Sequence, residues 1–304
     1  MKILLFGKNG QVGWELQRSL TPLGELVALD HRAELNPVVD GAPLQGDFGQ
    51  PEALRATVQR VRPDVIVNAA AYTAVDKAES EVERARTLNA TSVGVIAEEA
   101  ARLGAAVVHY STDYVFDGRG ECPWLETSTP APLNVYGQTK LEGEQLLQKL
   151  NPRHLIFRTS WVYAARGENF AKTMLKLAQE RESLSVIDDQ HGAPTGAELL
   201  ADITAHALLR LRQDETVAGL YHLTASGATS WYGYARHVLE QARQAGVAIK
   251  VALDALKPVA TSAFPTPARR PHNSRLDTRK LQATFGLVLP DWQQGVNRML
   301  QEIL

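Results

Sequence analysis

A single cysteine, Cys122, stands in a chain of 304 residues. That excludes an internal disulfide framework and suits a reducing compartment. Cys122 sits in a polar stretch before Pro123 and is expected to be incidental. No run approaches the ~18 apolar residues a membrane helix needs, and the opening residues read as a strand from Lys2 rather than a signal peptide. The expectation is a cytoplasmic protein with no membrane partner. Charge of one sign is lacking too: 32 Lys and Arg offset 34 Asp and Glu, for a net charge of −2. Such a balance offers no field for nucleic acid or an anionic lipid surface. C-x-x-C and H-E-x-x-H do not occur, so no redox pair or zincin site is read. The serine, histidine and aspartate residues carry no nucleophile motif, and His109 and His191, with no partners readable from sequence, are expected to be structural. The remaining composition, 44% hydrophobic and 22% charged, supports one large domain or two intimate ones.

The first positive signal is an apolar run from Lys2 to Phe6, then G-K-N-G-Q-V-G and an amphipathic helix to Leu20. Strand, glycine turn and helix form the context in which a glycine motif binds dinucleotides. Gly7, Gly10 and Gly13 are spaced one residue wider than the commonest fingerprint, and an ordinary glycine turn is the alternative. Gly7 permits the tight turn. Gly10, with Gln11 and Val12 beside it, lets backbone amides approach a pyrophosphate, and Gly13 lets helix and strand pack closely. The next strand ends in Asp30, whose carboxylate suits the adenosine ribose hydroxyls and so NADH. Arg32 can instead meet a 2′-phosphate and so NADPH. The two signals conflict, and use of either cofactor is expected. Asp47 and Phe48, after a weak strand, suit an adenine edge unless they are only a turn.

Asp64 to Ala70 reads as a buried parallel strand, β-branched and continuous. It runs into Ala70, Ala71, Tyr72 and Thr73, where small residues let a cofactor lie against the backbone. A long helix is expected from Ser80 to Leu103, with Asn89 in its middle. Another buried strand passes Tyr110 and ends in adjacent hydroxyls, Ser111 and Thr112, at the end where open α/β sheets bind ligands. Strand–helix repeats with short connections imply right-handed crossovers and one parallel sheet. After an irregular loop from Phe116 to Pro132 comes L-N-V-Y-G-Q-T-K-L-E-G-E-Q, in which Tyr136 and Lys140 share one helix face. A phenol titrates at about 10. An ammonium one turn away is expected to pull that value down, so that the pair can exchange a proton with an oxygen while something else moves a hydride. Residues 258–275 hold four prolines with Arg269, Arg270 and Arg275, either a solvated linker or a basic lid over a phosphorylated ligand. The fold expected is α/β, a doubly wound parallel sheet with a smaller C-terminal substrate domain. Residues 1–163 would bind the dinucleotide, with a return near 197–225, and 164–196 with 226–304 would bind substrate.

The glycine turn, N-A-A-A, S-T at 111–112, Y-x-x-x-K and R-T-S-W-V-Y together resemble the Rossmann-fold extended short-chain dehydrogenase/reductases over nearly the whole chain. Within them, S-T-D-Y-V-F-D-G, L-N-V-Y-G-Q-T-K, F-R-T-S-W-V-Y, N-F-A-K-T-M and G-A-P-T-G-A-E-L resemble the dTDP-4-dehydrorhamnose reductases. The resemblance implies reduction of the C4 ketone of a dTDP-linked 4-keto-6-deoxysugar by NADPH or NADH, a step of dTDP-rhamnose synthesis that feeds cell-wall polysaccharide. It makes Tyr136 the proton donor and Thr112 the partner of the C4 oxygen. Lys140 would lower the tyrosine pKa and bind the nicotinamide ribose. Ser111, one residue off, is expected to face the other side of the strand.

Trp161 is, by the same resemblance, a flat contact for the sugar, a core tryptophan being the alternative. Asp113 and Tyr114 would flank the sugar, and charge logic adds Arg270 or Arg275 for the diphosphate. Some members of the family use Mg²⁺ at a homodimer contact, matched here by Glu15, Glu198 and Glu302; three solvated glutamates are the alternative. Rival readings on this fold are a nucleotide-sugar epimerase or dehydratase and a non-catalytic regulatory subunit. Related 4,6-dehydratases carry T-D-E where this chain has Thr112, Asp113 and Tyr114, so one arm of their acid–base pair is missing. A regulatory subunit need not keep Thr112, Tyr136 and Lys140 together.

Overall fold

The computed structural model describes residues 1–304. Six strands form the central sheet: β1 (Lys2–Phe6), β2 (Glu25–Leu29), β3 (Val65–Asn68), β4 (Ala106–Thr112), β5 (His154–Thr159) and β6 (Gly219–His222). Their order is β6-β5-β4-β3-β1-β2, and every neighbouring pair is parallel. Helices cover both faces, so β3 and β4 are buried at every position and read as continuous apolar or β-branched runs rather than alternating ones. The pleat still divides them. Ile3 and Leu5 of β1 enter one core with helices Gln11–Leu20 and Ala197–Gln213. Leu4 and Phe6 enter the other, with Pro51–Val61 and Ser92–Leu103, as a period of two requires. The chain leaves β1 toward β2 on one side and returns through β3 on the other. This reversal opens a crevice at the carboxyl ends of β1 and β3.

A further apolar cluster lies beyond the sheet, between helices Phe170–Glu180, Trp231–Gln244 and Trp292–Ile303 and the two-stranded parallel ribbon Leu184–Ile187 with Leu256–Val259. Residues 197–222 return to the sheet as a helix and β6. The C-terminal segment is shared. Leu281 and Phe285 of helix Arg279–Phe285 pack in the sheet's core, although the sequence reading placed all of 226–304 in the second unit. No helix is long and apolar enough to cross a membrane.

The single helix expected from Ser80 to Leu103 is interrupted. A short helix, Val75–Ala78, precedes Val82–Arg86, and the latter runs through a π turn at Thr87–Thr91 into Ser92–Leu103. The wide turn lets the Asn89 amide face Tyr72, accepting from its N–H at 2.9 Å and donating to its C=O at 3.2 Å, with a second donation to Thr139 Oγ1 at 3.2 Å. A π turn of this kind commonly marks a functional site. No strand leads directly into Asp47 either; the hairpin Val38–Val39 with Ala42–Pro43 ends before it.

Helix Val135–Leu150 starts where Asn134 accepts from the Gly137 N–H at 2.8 Å and Glu79 accepts from the Val135 N–H at 2.8 Å, satisfying two donors that the first helical turn leaves open. Farther along, Glu144 accepts from Nε and one Nη of Arg158 on β5, at 2.9 and 2.6 Å. The pair is almost fully buried, and removing one partner of such a pair typically costs about 3–5 kcal/mol, because the other charge is left stranded. This helix is thereby pinned to β5.

Candidate active site

The crevice at the switch point is a cleft of about 660 Å³. Its floor begins at the glycine turn. Gly7 has φ +82°, and a Cβ on it would meet Ala69 and Ala70 backbone at 2.8 Å. A Cβ on Gly13 would lie 2.0 Å from the Gly7 carbonyl oxygen, so only glycine lets the helix sit directly against the end of β1. Gly13 therefore acts beneath the cleft, while Gly7, Gly10, Gln11 and Val12 line it. No side chain caps helix Gln11–Leu20, so its first amides and dipole are available to an anion.

At the end of β2, Asp30 and Arg32 bind each other rather than pulling apart. The Arg32 N–H and Nε donate to Asp30 Oδ1 at 2.9 and 3.0 Å, and the Asn9 amide donates to Oδ2. Burial raises the Asp30 carboxyl, but the Arg32 amide, Asn9, the Arg32 side chain and His31 outweigh it and hold the pKa at about 2. A ribose at this carboxylate would share it with Arg32, whereas a 2′-phosphate would draw the same guanidinium toward itself. Asp47 accepts from the Gly49 N–H at 2.8 Å, and Phe48 packs edge-on against Phe6 with centroids 5.3 Å apart. Both border the cleft, as do Ala70, Ala71 and Thr73. Tyr72 does not line it: its phenol donates to Glu81 at 3.0 Å and its backbone is held by Asn89.

Tyr136 and Lys140 line the inner end of the cleft. Lys140 is buried, and its ammonium donates to the Tyr110 carbonyl at 2.6 Å, with His109 Nε2 at 3.3 Å. Tyr110 thus contributes a backbone oxygen, while its phenol pairs with Thr204 at 2.6 Å. Burial lowers Lys140 to about 8, against the opposing carboxylate of Glu144. The expected depression of the tyrosine is not found. Burial pushes Tyr136 up to about 12, and the Thr112 hydroxyl pulls the other way. Desolvation disfavours the phenolate more than the neighbouring groups favour it.

Thr112 lies between Tyr136 and Asp113, donating to Asp113 Oδ1 at 3.1 Å and accepting from the Tyr114 N–H at 3.2 Å. Burial raises Asp113 to about 6, against hydrogen bonds from Ser274 and Thr112. Tyr114 packs edge-on to Tyr136, with centroids 5.5 Å apart. Ser111 faces the cofactor cleft, as does Thr159 on β5, and both hydroxyls are buried without a partner. Two free hydroxyls beside a glycine cradle suit a polar ligand such as the ribose and amide of a nicotinamide nucleotide, and the residues present fit that group.

The outer residues separate. Arg270 forms a two-point pair with Asp76, at 3.2 and 2.8 Å, and stands beside Tyr114. Arg275 is turned to Asn273 at 2.9 Å and borders a different depression with Thr224, Ser226 and Asp277. Trp161 follows Thr159, whose register partner is Thr112, and its indole stacks on Trp231 with centroids 3.6 Å apart. Within one chain, Glu15, Glu198 and Glu302 do not make a metal-donor set: Arg298 lies 3.5 Å from both Glu198 and Glu302. Asn9, Thr159, Asp76 and Trp231 were not singled out from sequence. Thr159 alone carried a usable signal, its place at the carboxyl end of a strand.

This fold and cleft define a nicotinamide-dinucleotide enzyme of the extended short-chain dehydrogenase/reductase class. The family described as RmlD substrate binding domain matches residues 1–304. The dTDP-4-dehydrorhamnose reductase of Escherichia coli (strain K12) is 63% identical over 303 residues, covering 100% of this chain and 98% of that protein. The corresponding protein of Burkholderia thailandensis is 46% identical over 308 residues, covering 100% and 99%. Among solved structures, a dTDP-4-dehydrorhamnose reductase of Bacillus anthracis in complex with NADP has a TM-score of 0.85 at 33% identity, covering 99% of this chain and 100% of that one. The chain belongs to the dTDP-4-dehydrorhamnose reductase family.

We propose that the Asp30–Arg32 pair sets the cofactor preference. Asp30→Ala frees Arg32 and removes repulsion of a 2′-phosphate, so the NADPH-to-NADH ratio of kcat/KM should rise several-fold, on the order of 1 kcal/mol. Arg32→Ala should lower the ratio. Ratios moving the same way in both variants would place the adenosine ribose elsewhere.

Proposed function

We propose that this protein acts in the cytoplasm to reduce the C4 ketone of dTDP-4-dehydro-β-L-rhamnose to the hydroxyl of dTDP-L-rhamnose, using NADPH or NADH. The observation that carries the mechanism is the buried Tyr136 phenol beside Thr112, at the inner end of a dinucleotide cleft. The nicotinamide cofactor, when bound, supplies the hydride that adds to C4. The C4 oxygen then needs one proton to complete the hydroxyl, and Tyr136 donates it. Burial pushes the phenol up to about 12, so it carries its proton at neutral pH and can serve as the acid. Thr112 holds the same oxygen by turning its one O–H from Asp113 Oδ1, 3.1 Å away, to the carbonyl. Lys140 lies on the cofactor side, where its ammonium can meet the nicotinamide ribose and offset negative charge as the phenol gives up its proton.

For the sugar, Trp161 gives a flat apolar face, with Asp113 and Tyr114 at the edge, and Arg270 pairs with the diphosphate by exchanging its Asp76 partner. Arg275, turned into another depression, drops out of this proposal. The apolar cluster outside the sheet is the substrate part of the molecule. A homodimer is also proposed, joined through the face that carries Glu15, Glu198 and Glu302. Because Arg298, 3.5 Å from both Glu198 and Glu302, already offsets one of these charges, a bridging Mg²⁺ would require glutamates from both copies. Sedimentation in Mg²⁺ and in EDTA reads this: a dimer in Mg²⁺ alone supports the bridge, and an unchanged mass rejects it.

Tyr136→Phe keeps the ring and removes the proton. Turnover should fall roughly 10²–10⁴-fold, the usual worth of a general acid, with NADPH affinity preserved. Near-parental turnover in this variant would take Tyr136 out of the mechanism.

A further inference from the structure

Trp161 has φ +49°, a left-handed conformation that a large side chain keeps only where its surroundings hold it. Two contacts do so. One indole face lies on Trp231, with centroids 3.6 Å apart and planes 15° from parallel. Its edge fits against Gly192, where a Cβ would come within 2.8 Å of the ring. Trp231 is itself anchored. It opens helix Trp231–Gln244 directly after Ser230, whose hydroxyl accepts from the Gly233 N–H at 3.0 Å. Its Nε1 donates to the buried Gln190 at 3.1 Å, and Gln190 donates to the Thr261 hydroxyl at 3.1 Å. Thr261 is held in turn by Asp189, which accepts from its N–H at 2.9 Å. Thr261 belongs to the segment that continues to Arg270.

We infer that Trp231 is a positioning residue for the sugar. It presents the Trp161 indole as a fixed face and, through Gln190 and Thr261, ties that face to the arginine-bearing segment. The argument rests on the proposed contact of Trp161 with the sugar. A lone indole on a loop would sample several rotamers and lose that freedom on each binding event. Stacking it in advance removes the ordering cost, and the strained backbone at Trp161 is the trace of that arrangement.

The test compares W161A, W231A, W231F and G192A in the full chain. It reads the KM for dTDP-4-dehydro-β-L-rhamnose, the KM for NADPH, kcat, and the circular-dichroism couplet of the two stacked indoles. W161A checks the underlying contact: an unchanged sugar KM there removes Trp161 from the sugar site, whatever Trp231 does. Given a rise in W161A, W231A and G192A should each lose the couplet and raise the sugar KM about tenfold, the scale of one aromatic pair. The NADPH KM should not move. W231F keeps a stacking ring and should stay within about twofold of the parent. A role confined to folding would lower yield or shift both KM values together, and that pattern contradicts the inference. Should W231A fail to fold, G192A disturbs the same indole while leaving both tryptophans in place. A parental sugar KM in G192A with the couplet lost overturns the proposal.

Discussion

Lys140 spends its ammonium on the Tyr110 carbonyl at 2.6 Å, and that one contact seats the helix Val135–Leu150 on the carboxyl end of β4. Burying an ammonium is costly unless strong acceptors repay it, so the helix has few other positions open to it. Asn134 and Glu79 fix its start, and Glu144 with Arg158 pins its middle to β5. Tyr136, one turn before Lys140, is thereby carried into a desolvated place beside Thr112. Burial there keeps the proton on the phenol.

The cofactor side is organised by close approach rather than charge. Glycine at position 13 brings the helix start against β1, and the uncapped amides then face the cleft. Charge enters at the two ends, with Lys140 at the inner one and Asp30 and Arg32 holding each other at the outer one. On the proposed placement of the adenosine ribose, the pair would let one cleft take either dinucleotide. The carboxylate is engaged but at the surface of the cleft, and the guanidinium is half exposed and able to turn.

Much of this was legible in the chain. The strands were apparent because both faces of the sheet are covered, which leaves unbroken apolar runs such as Val65 to Val67. The glycine turn was apparent because its demands are local, and Tyr136 and Lys140 because one helical turn separates them. What could not be read depends on contacts between distant segments. The direction of the Lys140 ammonium is set by a strand 30 residues earlier, and the pairing of Arg270 with Asp76 spans 194 residues. Tyr72 looked like a cofactor contact because its neighbours are small, but Asn89 in a π turn and Glu81 take its backbone and phenol. The effect of Lys140 on Tyr136 was misjudged for the same reason. Helical spacing reports proximity, whereas burial, which decides the pKa, is a property of the packed molecule. Alternation along β4 does separate the two hydroxyls, but it is Ser111, set aside from sequence, that lines the dinucleotide cleft.

Two atoms decide the proposed reaction: a hydride delivered in this cleft to C4 of the sugar, and the proton supplied by Tyr136. The most direct measurement follows deuterium from NADPH labelled at the transferable position of the nicotinamide into dTDP-4-dehydro-β-L-rhamnose, with the product read by NMR. One deuterium at C4 for each NADPH consumed, with no water lost from dTDP-glucose in a parallel reaction, is the result this account predicts. Deuterium absent from C4, or a 4-keto-6-deoxy product formed from dTDP-glucose without net cofactor oxidation, would contradict it.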